Sequence, residues 1–268
     1  MIPKDAITEW NQFAPWSSEV QVEQDLIICK ALVEIYKDNY LADHLAFRGG
    51  TALHKLYLHP QPRYSEDIDL VQIEDSPIKE TYDHLRYVLA FLGEPKVKQK
   101  KHNNTLIFRM TSSGVPSLPI HLKVEINCKE HFSVLPMKRE PFEVKSQWYE
   151  GGAELLTYQL DELVGTKLRA LYQRLKGRDL YDLYKALTMA NVNVENVIRC
   201  YREYMAFVVD HTPTYKEYVL NMENKMQDEE FLTDMDTLLH PDMKYNPNES
   251  YEIVKEMLIN RLPGERWE

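Results

Sequence analysis

Residues 65–72 alternate between acidic and apolar side chains in the manner of a half-buried strand. Asp67 and Asp69 fall on one parity, whereas Ile68 and Leu70 fall on the other. Because successive side chains of a strand point to opposite faces, this pattern predicts a strand with an apolar back and an acidic front. Two carboxylates on one face can jointly hold a hard divalent cation. The alternative interpretation is a pair of solvated charges on an exposed strand.

A second constraint is the Gly-Gly-Thr sequence formed by Gly49, Gly50 and Thr51. It stands between a short apolar strand predicted at 45–47 and a helical segment predicted at 52–58. Glycine permits close approach of a ligand, and a helix N-terminus offers free N–H groups to a triphosphate. The alternative is a simple turn in which Thr51 caps the helix. Both interpretations fit a strand-to-helix junction.

The segment 121–127 contains a third candidate carboxylate, Glu125. Its alternation places Lys123, Glu125 and Asn127 on one face of a predicted strand and three aliphatic residues on the other. If this strand lies beside 65–72, Glu125 joins the two aspartates. Three carboxylates can bind one or two Mg²⁺ ions, which polarise an α-phosphate and help deprotonate an attacking hydroxyl. The alternative for Glu125 is an exposed polar strand position.

The helical segment that follows residue 155 carries Lys167, which could neutralise phosphate charge. Downstream, the spacing of Asp179 and Asp182 favours helix capping: Gly177 ends one helix, Asp179 caps the next, and Asp182 follows three residues later like a capping-box acid.

The rest of the chain predicts an α/β (α+β) protein in two parts. Helices are predicted at 19–38 and 78–92, and strands at 96–110 and 120–128, joined by a turn at 111–116. The pair Gly151 and Gly152 is the best candidate boundary, because the chain after it, from 155 onward, is predicted to be helical. We therefore expect a mixed-sheet domain over 1–150 and an all-α domain over 151–268.

Composition limits the classes of function. A net charge of −10 argues against a protein that coats nucleic acid through a general positive field. Two local basic patches remain: Lys96, Lys98, Lys100, Lys101 and His102, and then Lys167, Arg169, Arg174, Lys176 and Arg178. Three scattered cysteines suggest neither disulfides nor a zinc site, and no apolar run suits a signal peptide or a membrane span. We expect a cytoplasmic protein with no membrane partner.

Three segments together resemble a known family: Phe47 to Leu56, Arg63 to Leu70, and Lys167 to Asp182. They resemble the AbiEii/AbiGii-type nucleotidyltransferase toxins, which are similar to the MenT toxins and belong to the wider polymerase-β-like nucleotidyltransferases. The resemblance is strongest over 43–72 and 155–187. It implies a polymerase-β-like nucleotidyltransferase domain followed by helices that contribute to the same cleft.

The resemblance also implies roles for individual residues. Gly49, Gly50 and Thr51 would cradle the triphosphate of an NTP, and Lys167 would contact the nucleotide. Asp67 and Asp69 would ligate Mg²⁺ or Mn²⁺, with Glu125 in the slot of the third carboxylate. Asp179 or Asp182 would complete the site; Asp182 is favoured for chemistry because Asp179 is the better cap.

By the same resemblance, the chain would be the toxin of a type IV toxin–antitoxin pair with a role in phage defence by abortive infection. Its partner would be a winged-helix antitoxin, and its acceptor would be tRNA or another RNA. Two alternatives remain from the residues alone. One is a module that senses nucleotides or binds a partner without catalysis, and the other is a Mg²⁺-dependent phosphotransferase acting on protein or a small molecule.

Overall fold

The computed structural model describes residues 2–114 and 116–265 of the chain. This part contains a seven-stranded sheet, eleven α-helices and two short 3-10 helices at Ala90–Leu92 and Ile259–Arg261. The strands are β1 Leu45–Arg48, β2 Ile68–Gln72, β3 Lys96–Lys100, β4 Asn103–Thr111, β5 Pro119–Asn127, β6 Lys138–Lys145 and β7 Glu150–Thr157. The helices are α1 Lys4–Trp10, α2 Glu19–Lys37, α3 Asn39–His44, α4 Gly49–Leu56, α5 Ile78–Val88, α6 Leu160–Gln173, α7 Gly177–Met189, α8 Val194–Val208, α9 Tyr215–Lys225, α10 Glu229–Thr233 and α11 Pro247–Met257.

The sheet has the strand order β3-β4-β5-β2-β1-β7-β6. Strand β2 runs parallel to β5 and β1 runs parallel to β7, whereas the other neighbouring strands are antiparallel. The short central strands β1 and β2 are almost wholly buried, as expected of strands covered on both faces. The predicted α/β class with a mixed sheet is confirmed.

Helix α2 follows the predicted range closely and covers part of the sheet. Its first turn is capped by Ser18, whose hydroxyl accepts a hydrogen bond from the Gln21 N–H. Its buried face, which includes Leu26, Leu32 and Ile35, packs against β7, β5 and β6. Helix α5 and the 3-10 turn after it likewise match the helix predicted at 78–92.

Two predicted strands are shorter than expected. The strand predicted at 65–72 begins at Ile68, so Asp67 lies one residue before β2. The single strand predicted at 96–110 is instead the hairpin of β3 and β4, which turns at Lys101 and His102. The hairpin forms because the polar residues around Lys101 and His102 supply a turn. The alternation of polar and apolar residues then resumes in register on β4.

The prediction that the chain after Gly151 and Gly152 is helical is wrong for its first residues. Both glycines lie inside β7, which pairs with β6, and the helix predicted from residue 155 begins at Leu160. Strand β6 had no sequence signal because Pro141 interrupts it, and proline is tolerated there because β6 is an edge strand. The division into domains at 150 and 151 stays a prediction, and β7 crosses it.

Helices α6 to α11 follow the last strand. Helix α6 contacts α7, α8 and α9, and it also contacts α4, the helix that starts at the glycine pair. The helical half is thereby attached to the sheet next to the predicted phosphate turn. In the described part of the chain, every helix is too short or too polar to cross a lipid bilayer.

Candidate active site

A cleft of about 290 Å³ lies between the acidic end of β2 and the helical half of the chain. Carboxylates from the sheet line one side, and cations from helix α6 and the segment after it line the other. The lining residues are Gly50, Thr51, Arg63, Tyr64, Ser65, Glu66, Asp67, Asp69, Lys123, Glu125, Lys167, Arg174, Lys176, Arg178 and Leu238. Most of the predicted site residues therefore meet in one cavity, with Gly49, Asp179 and Asp182 outside its lining.

Parallel pairing of β2 with β5 brings the three candidate metal ligands together. Asp69 lies opposite Glu125 in the register, and Asp67 lies next to Lys123, with 3.2 Å between the Asp67 Oδ2 and the Lys123 Nζ. The condition set for Glu125, that its strand lie beside 65–72, is met. No side-chain hydrogen bond or ion pair engages Asp69 or Glu125 within residues 2–114 and 116–265.

The donor chemistry of this acidic face fits a hard divalent cation, because carboxylate oxygens are the ligands that Mg²⁺ and Mn²⁺ prefer. The side chains are not yet gathered around one point: among the described residues, no three Asp, Glu, His or Cys side chains are arranged to hold a metal ion. Asp67 is turned toward Lys123, and Asp69 is turned toward the backbone of Gly49. Metal binding therefore requires the carboxylates to reorient.

Burial raises the pKa of Asp67 to about 6, although Lys123 lowers it; Glu66 and Asp69 add to the rise. Such a shift is expected where like charges lie close together in a partly desolvated cleft. The carboxyl group of Asp67 thus changes charge near neutral pH.

The two glycines of the turn are required by sterics. Gly49 has a φ of +79°, and a Cβ there would lie 2.2 Å from the Asp69 Oδ2. A Cβ on Gly50 would lie 2.6 Å from a guanidinium nitrogen of Arg63. The absence of side chains lets a carboxylate and a guanidinium approach the backbone at the start of α4.

The alternative interpretation of Thr51 as a helix cap is wrong, because α4 begins at Gly49 and has Arg48 as its N-cap residue. The Thr51 hydroxyl lies 2.5 Å from the Asp67 carbonyl oxygen, to which it donates, and 2.6 Å from the Ser65 hydroxyl. This buried contact ties the glycine turn to the segment that carries Asp67. What Thr51 can offer to a phosphate is its backbone N–H in the first turn of the helix.

Asp182, which is fully buried, is the centre of an ionic network. Arg63 forms a two-pronged contact with its carboxylate at 2.7 and 2.8 Å, His54 Nε2 lies 2.8 Å away, and Lys167 Nζ lies 2.8 Å away. Although burial opposes ionisation, Arg63 and Lys167 hold the pKa of Asp182 well below its ordinary value. Burial and the nearby Arg63 lower the pKa of His54 to about 4, so this histidine is neutral at pH 7.

Asp179 holds the other side of Lys167. Its carboxylate lies 3.1 Å from the Lys167 Nζ and accepts two hydrogen bonds from Arg174, at 2.5 and 2.7 Å. Burial opposes its ionisation, but Lys167 and Arg174 lower its pKa below the ordinary value. The capping interpretation of Asp179 and Asp182 is wrong, because α7 starts at Gly177 and has no side-chain cap. Both aspartates position the cations of the cleft.

Sequence reasoning missed Arg63 and His54 as partners of Asp182, and it did not assign a function to Lys123. Arg63 lies in a quoted motif, but nothing local indicates that its partner is on α7. The second basic patch is divided in the structure: Arg169 does not line the cleft, because it pairs with Glu130, together with Arg48. Arg174 and Arg178 do line the cleft.

A larger cavity lies elsewhere, on the outer face of α8. It has a volume of about 960 Å³ and is lined by residues such as Ile198, Arg199, Arg202 and Arg261. It contains neither a carboxylate pair of the predicted kind nor a glycine turn. The smaller acidic cleft is therefore the candidate active site.

Comparison with known proteins identifies the class of protein as a nucleotidyltransferase. The model of the AbiEii family, described as nucleotidyl transferase AbiEii toxin of type IV toxin–antitoxin systems, matches residues 30–256. The chain belongs to this family. No functionally curated protein has a matching sequence.

One solved structure shows the same fold. MenT4, a nucleotidyltransferase toxin from Mycobacterium tuberculosis H37Rv, superposes with a TM-score of 0.67 at 18% identity, covering 98% of this chain and 91% of that one. At this identity the likeness establishes the fold alone. An antigenic nucleotidyltransferase-like protein from Paracoccidioides brasiliensis is a more distant match, with a TM-score of 0.42, 15% identity and coverage of 76% and 90%.

The network around Asp182 leads to a stability prediction. Asp182→Asn leaves Arg63 and Lys167 buried without a full counter-charge, which should lower the free energy of unfolding by roughly 3–5 kcal/mol. Urea denaturation followed by circular dichroism measures the change. The matched control is Asp83→Asn, which breaks an exposed ion pair with Lys79 and should leave the urea midpoint unchanged. Equal midpoints for wild type and Asp182→Asn would contradict the prediction.

Proposed function

We propose that the protein transfers a nucleotide from an NTP to an acceptor hydroxyl in this cleft, with Mg²⁺ or Mn²⁺ held by Asp67, Asp69 and Glu125. The observation that carries the proposal is the register that places Asp69 opposite Glu125, beside the glycine turn. A carboxylate cluster next to a helix N-terminus provides for a metal ion and for a triphosphate within one cavity.

The chain's own groups can bind the triphosphate. The N–H groups of Gly50 and Thr51 lie in the first turn of α4, where they have no partner within the helix. Lys167 and Arg174 face the same cleft and are held in place by Asp179. Positively charged groups fixed by buried partners can stabilise charge on the phosphates without reorganising. Asp179 and Asp182 act in this proposal through Lys167.

The reaction joins the acceptor oxygen to the α-phosphorus and breaks the bond from that phosphorus to the pyrophosphate oxygen. Pyrophosphate leaves, and the hydroxyl proton passes to one of the cleft carboxylates. A bound divalent ion would polarise the α-phosphate and lower the pKa of the attacking hydroxyl. The carboxylates and the glycine turn would hold acceptor and NTP in line.

We further infer that the acceptor is the end of a tRNA or another RNA, and this inference rests on the membership in a type IV toxin family. Lys98 and Lys100 lie on the exposed edge strand β3, and Lys101 lies in the turn after it. Lysines there can contact phosphates, although lysine on an edge strand also discourages pairing with other chains. We also propose that the partner of the protein is a winged-helix antitoxin and that the pair has a role in phage defence.

Nucleotide transfer should depend on both aspartates of the acidic face. Asp67→Asn and Asp69→Asn remove metal ligands without changing side-chain shape, so label transfer should fall by at least about 100-fold. The measurement uses each α-³²P-labelled NTP in turn with Mg²⁺ and total tRNA. Asp83→Asn on the outer face of α5 serves as the control and should retain full activity.

This assay also separates transfer from the alternatives. A phosphotransferase would move label from γ-³²P-NTP but not from α-³²P-NTP. A nucleotide-sensing module would bind NTPs in calorimetry with no transfer at all. Either result with folded wild-type protein would reject the proposed activity.

The raised pKa of Asp67 predicts a pH dependence of metal binding. Below about pH 6 its carboxyl group is protonated, so the proton competes with the cation and affinity falls as pH decreases. Calorimetric titration of Mn²⁺ at pH 5 and pH 7 should show roughly tenfold weaker binding at pH 5. In Asp67→Asn the residual affinity should vary less over this range. A wild-type affinity that is constant from pH 5 to pH 7 would contradict the assignment.

The lysine hairpin generates a prediction about the acceptor. Changing Lys98, Lys100 and Lys101 together to glutamate should weaken RNA use and alter its salt dependence, because phosphate contacts release counterions. Labelling assays at 50 and 200 mM salt measure both effects. Lys145 and Lys138, on the opposite edge strand β6, provide control substitutions. Unchanged acceptor use would remove this surface from the proposal.

A further inference from the structure

We propose that Lys123 couples metal binding to triphosphate binding. In the nucleotide-free protein its ammonium holds Asp67, and in the complex the ammonium moves to the triphosphate and releases Asp67 to the metal ion. This inference rests on the proposed function of the cleft. It assigns a specific task to a residue of β5 that is neither a carboxylate ligand nor part of the glycine turn.

The first observation is the position of Lys123 on the sheet. Lys123 and Glu125 share one face of β5, and the parallel register with β2 sets Glu125 opposite Asp69. One step earlier on the same face, Lys123 stands next to Asp67. A cation is thus built into the acidic face, at the place where one of the two aspartates would bind metal.

The second observation is the ion-pair partner of Lys123. The other cleft cations are bound by carboxylates that are not metal-ligand candidates: Arg63 by Asp182, Lys167 by Asp179 and Asp182, Arg174 by Asp179, Lys176 by Glu230, and Arg178 by Asp234 and Glu66. In the described part of the chain, Lys123 forms its ion pair with Asp67. It therefore differs from its neighbours in competing directly with a divalent ion.

The third observation is that the carboxylates are not convergent. Asp67 faces Lys123, and no three potential ligands among the described residues gather around one point. The pair at 3.2 Å must open before Asp67 can turn toward a shared metal ion. Breaking a close pair of opposite charges in a partly buried cleft costs free energy, so Lys123 weakens binding of a bare cation.

A triphosphate reverses this effect, because its negative charges offer the ammonium a new partner within the same cavity. The side chain of Lys123 is 42% exposed, so its long flexible stem is free to turn. Each ligand then removes an obstacle to the other, and by thermodynamic linkage the coupling is reciprocal. The expected consequence is weak metal binding alone and tight binding of metal and nucleotide together.

The test compares wild type with Lys123→Met, which keeps the stem and removes the charge. Calorimetric titration with Mn²⁺ in the absence of nucleotide should show about tenfold tighter binding to the variant, because the competing cation is gone. With saturating Mn²⁺, the α,β-methylene NTPs should bind about tenfold more weakly to the variant. A residue with a merely structural role would weaken both or neither.

Lys145→Met is the matched control. Lys145 lies on strand β6 at the other edge of the sheet and pairs with Glu143 at 3.6 Å, so its loss should change neither affinity. Lys123→Gln repeats the test with a polar side chain should Lys123→Met fail to fold by circular dichroism. Opposite shifts of the two affinities in either variant, with Lys145→Met unchanged, support the inference.

The outcomes separate this inference from the proposed function. If Asp67→Asn weakens Mn²⁺ binding while the Lys123 variants bind Mn²⁺ no more tightly than wild type, the inference is overturned and the metal site stands. If wild type and all variants fail to bind Mn²⁺ with or without nucleotide, both are overturned. Weaker Mn²⁺ binding to Lys123→Met than to wild type would also overturn the inference.

Discussion

The site depends on one buried interaction, the contact of the Asp182 carboxylate with Arg63, His54 and Lys167. It joins α7 and α6 of the helical half to α4 and to the loop before β2. A buried carboxylate with this many donors has little freedom to move, because each change would leave a charge unpaired away from water. The network thereby fixes the distance between the cations and the acidic face of the sheet.

Charge is distributed so that the sheet side of the cleft can bind a cation and the helical side can bind phosphate groups. On the sheet side, Asp69 and Glu125 are left without side-chain partners in the described part of the chain and remain available as ligands. On the helical side, Asp179 holds Lys167 and Arg174 toward the cavity. Lys225 reinforces this arrangement, since its ammonium donates to the Tyr172 and Arg174 carbonyl oxygens at the end of α6. Burial lowers its pKa to about 8.

The glycine turn connects the two sides. Gly49 and Gly50 allow Asp69 and Arg63 to approach the start of α4 more closely than any side chain would permit. Thr51 then bonds to the Asp67 carbonyl oxygen and fixes the acidic segment to the same turn. The Gly-Gly-Thr turn, which resembles a simple phosphate-binding loop, thus also connects the sheet to the ionic network around Asp182.

The sequence determined the parts of the site that depend on local spacing. Alternation along two predicted strands put Asp67 and Asp69 on the polar face of one strand and Glu125 on the polar face of the other, and the glycine pair marked the start of a helix. The pairing of β2 with β5, the proline-interrupted strand β6 and the contacts of Asp182 were decided by the tertiary structure alone. Arg63 and Asp182 are 119 residues apart, and Lys123 and Asp67 are 56 apart. Such contacts follow from strand order and helix packing, which no local pattern encodes. This is why two aspartates with the spacing of helix caps are instead the buried partners of the cations that line the cleft.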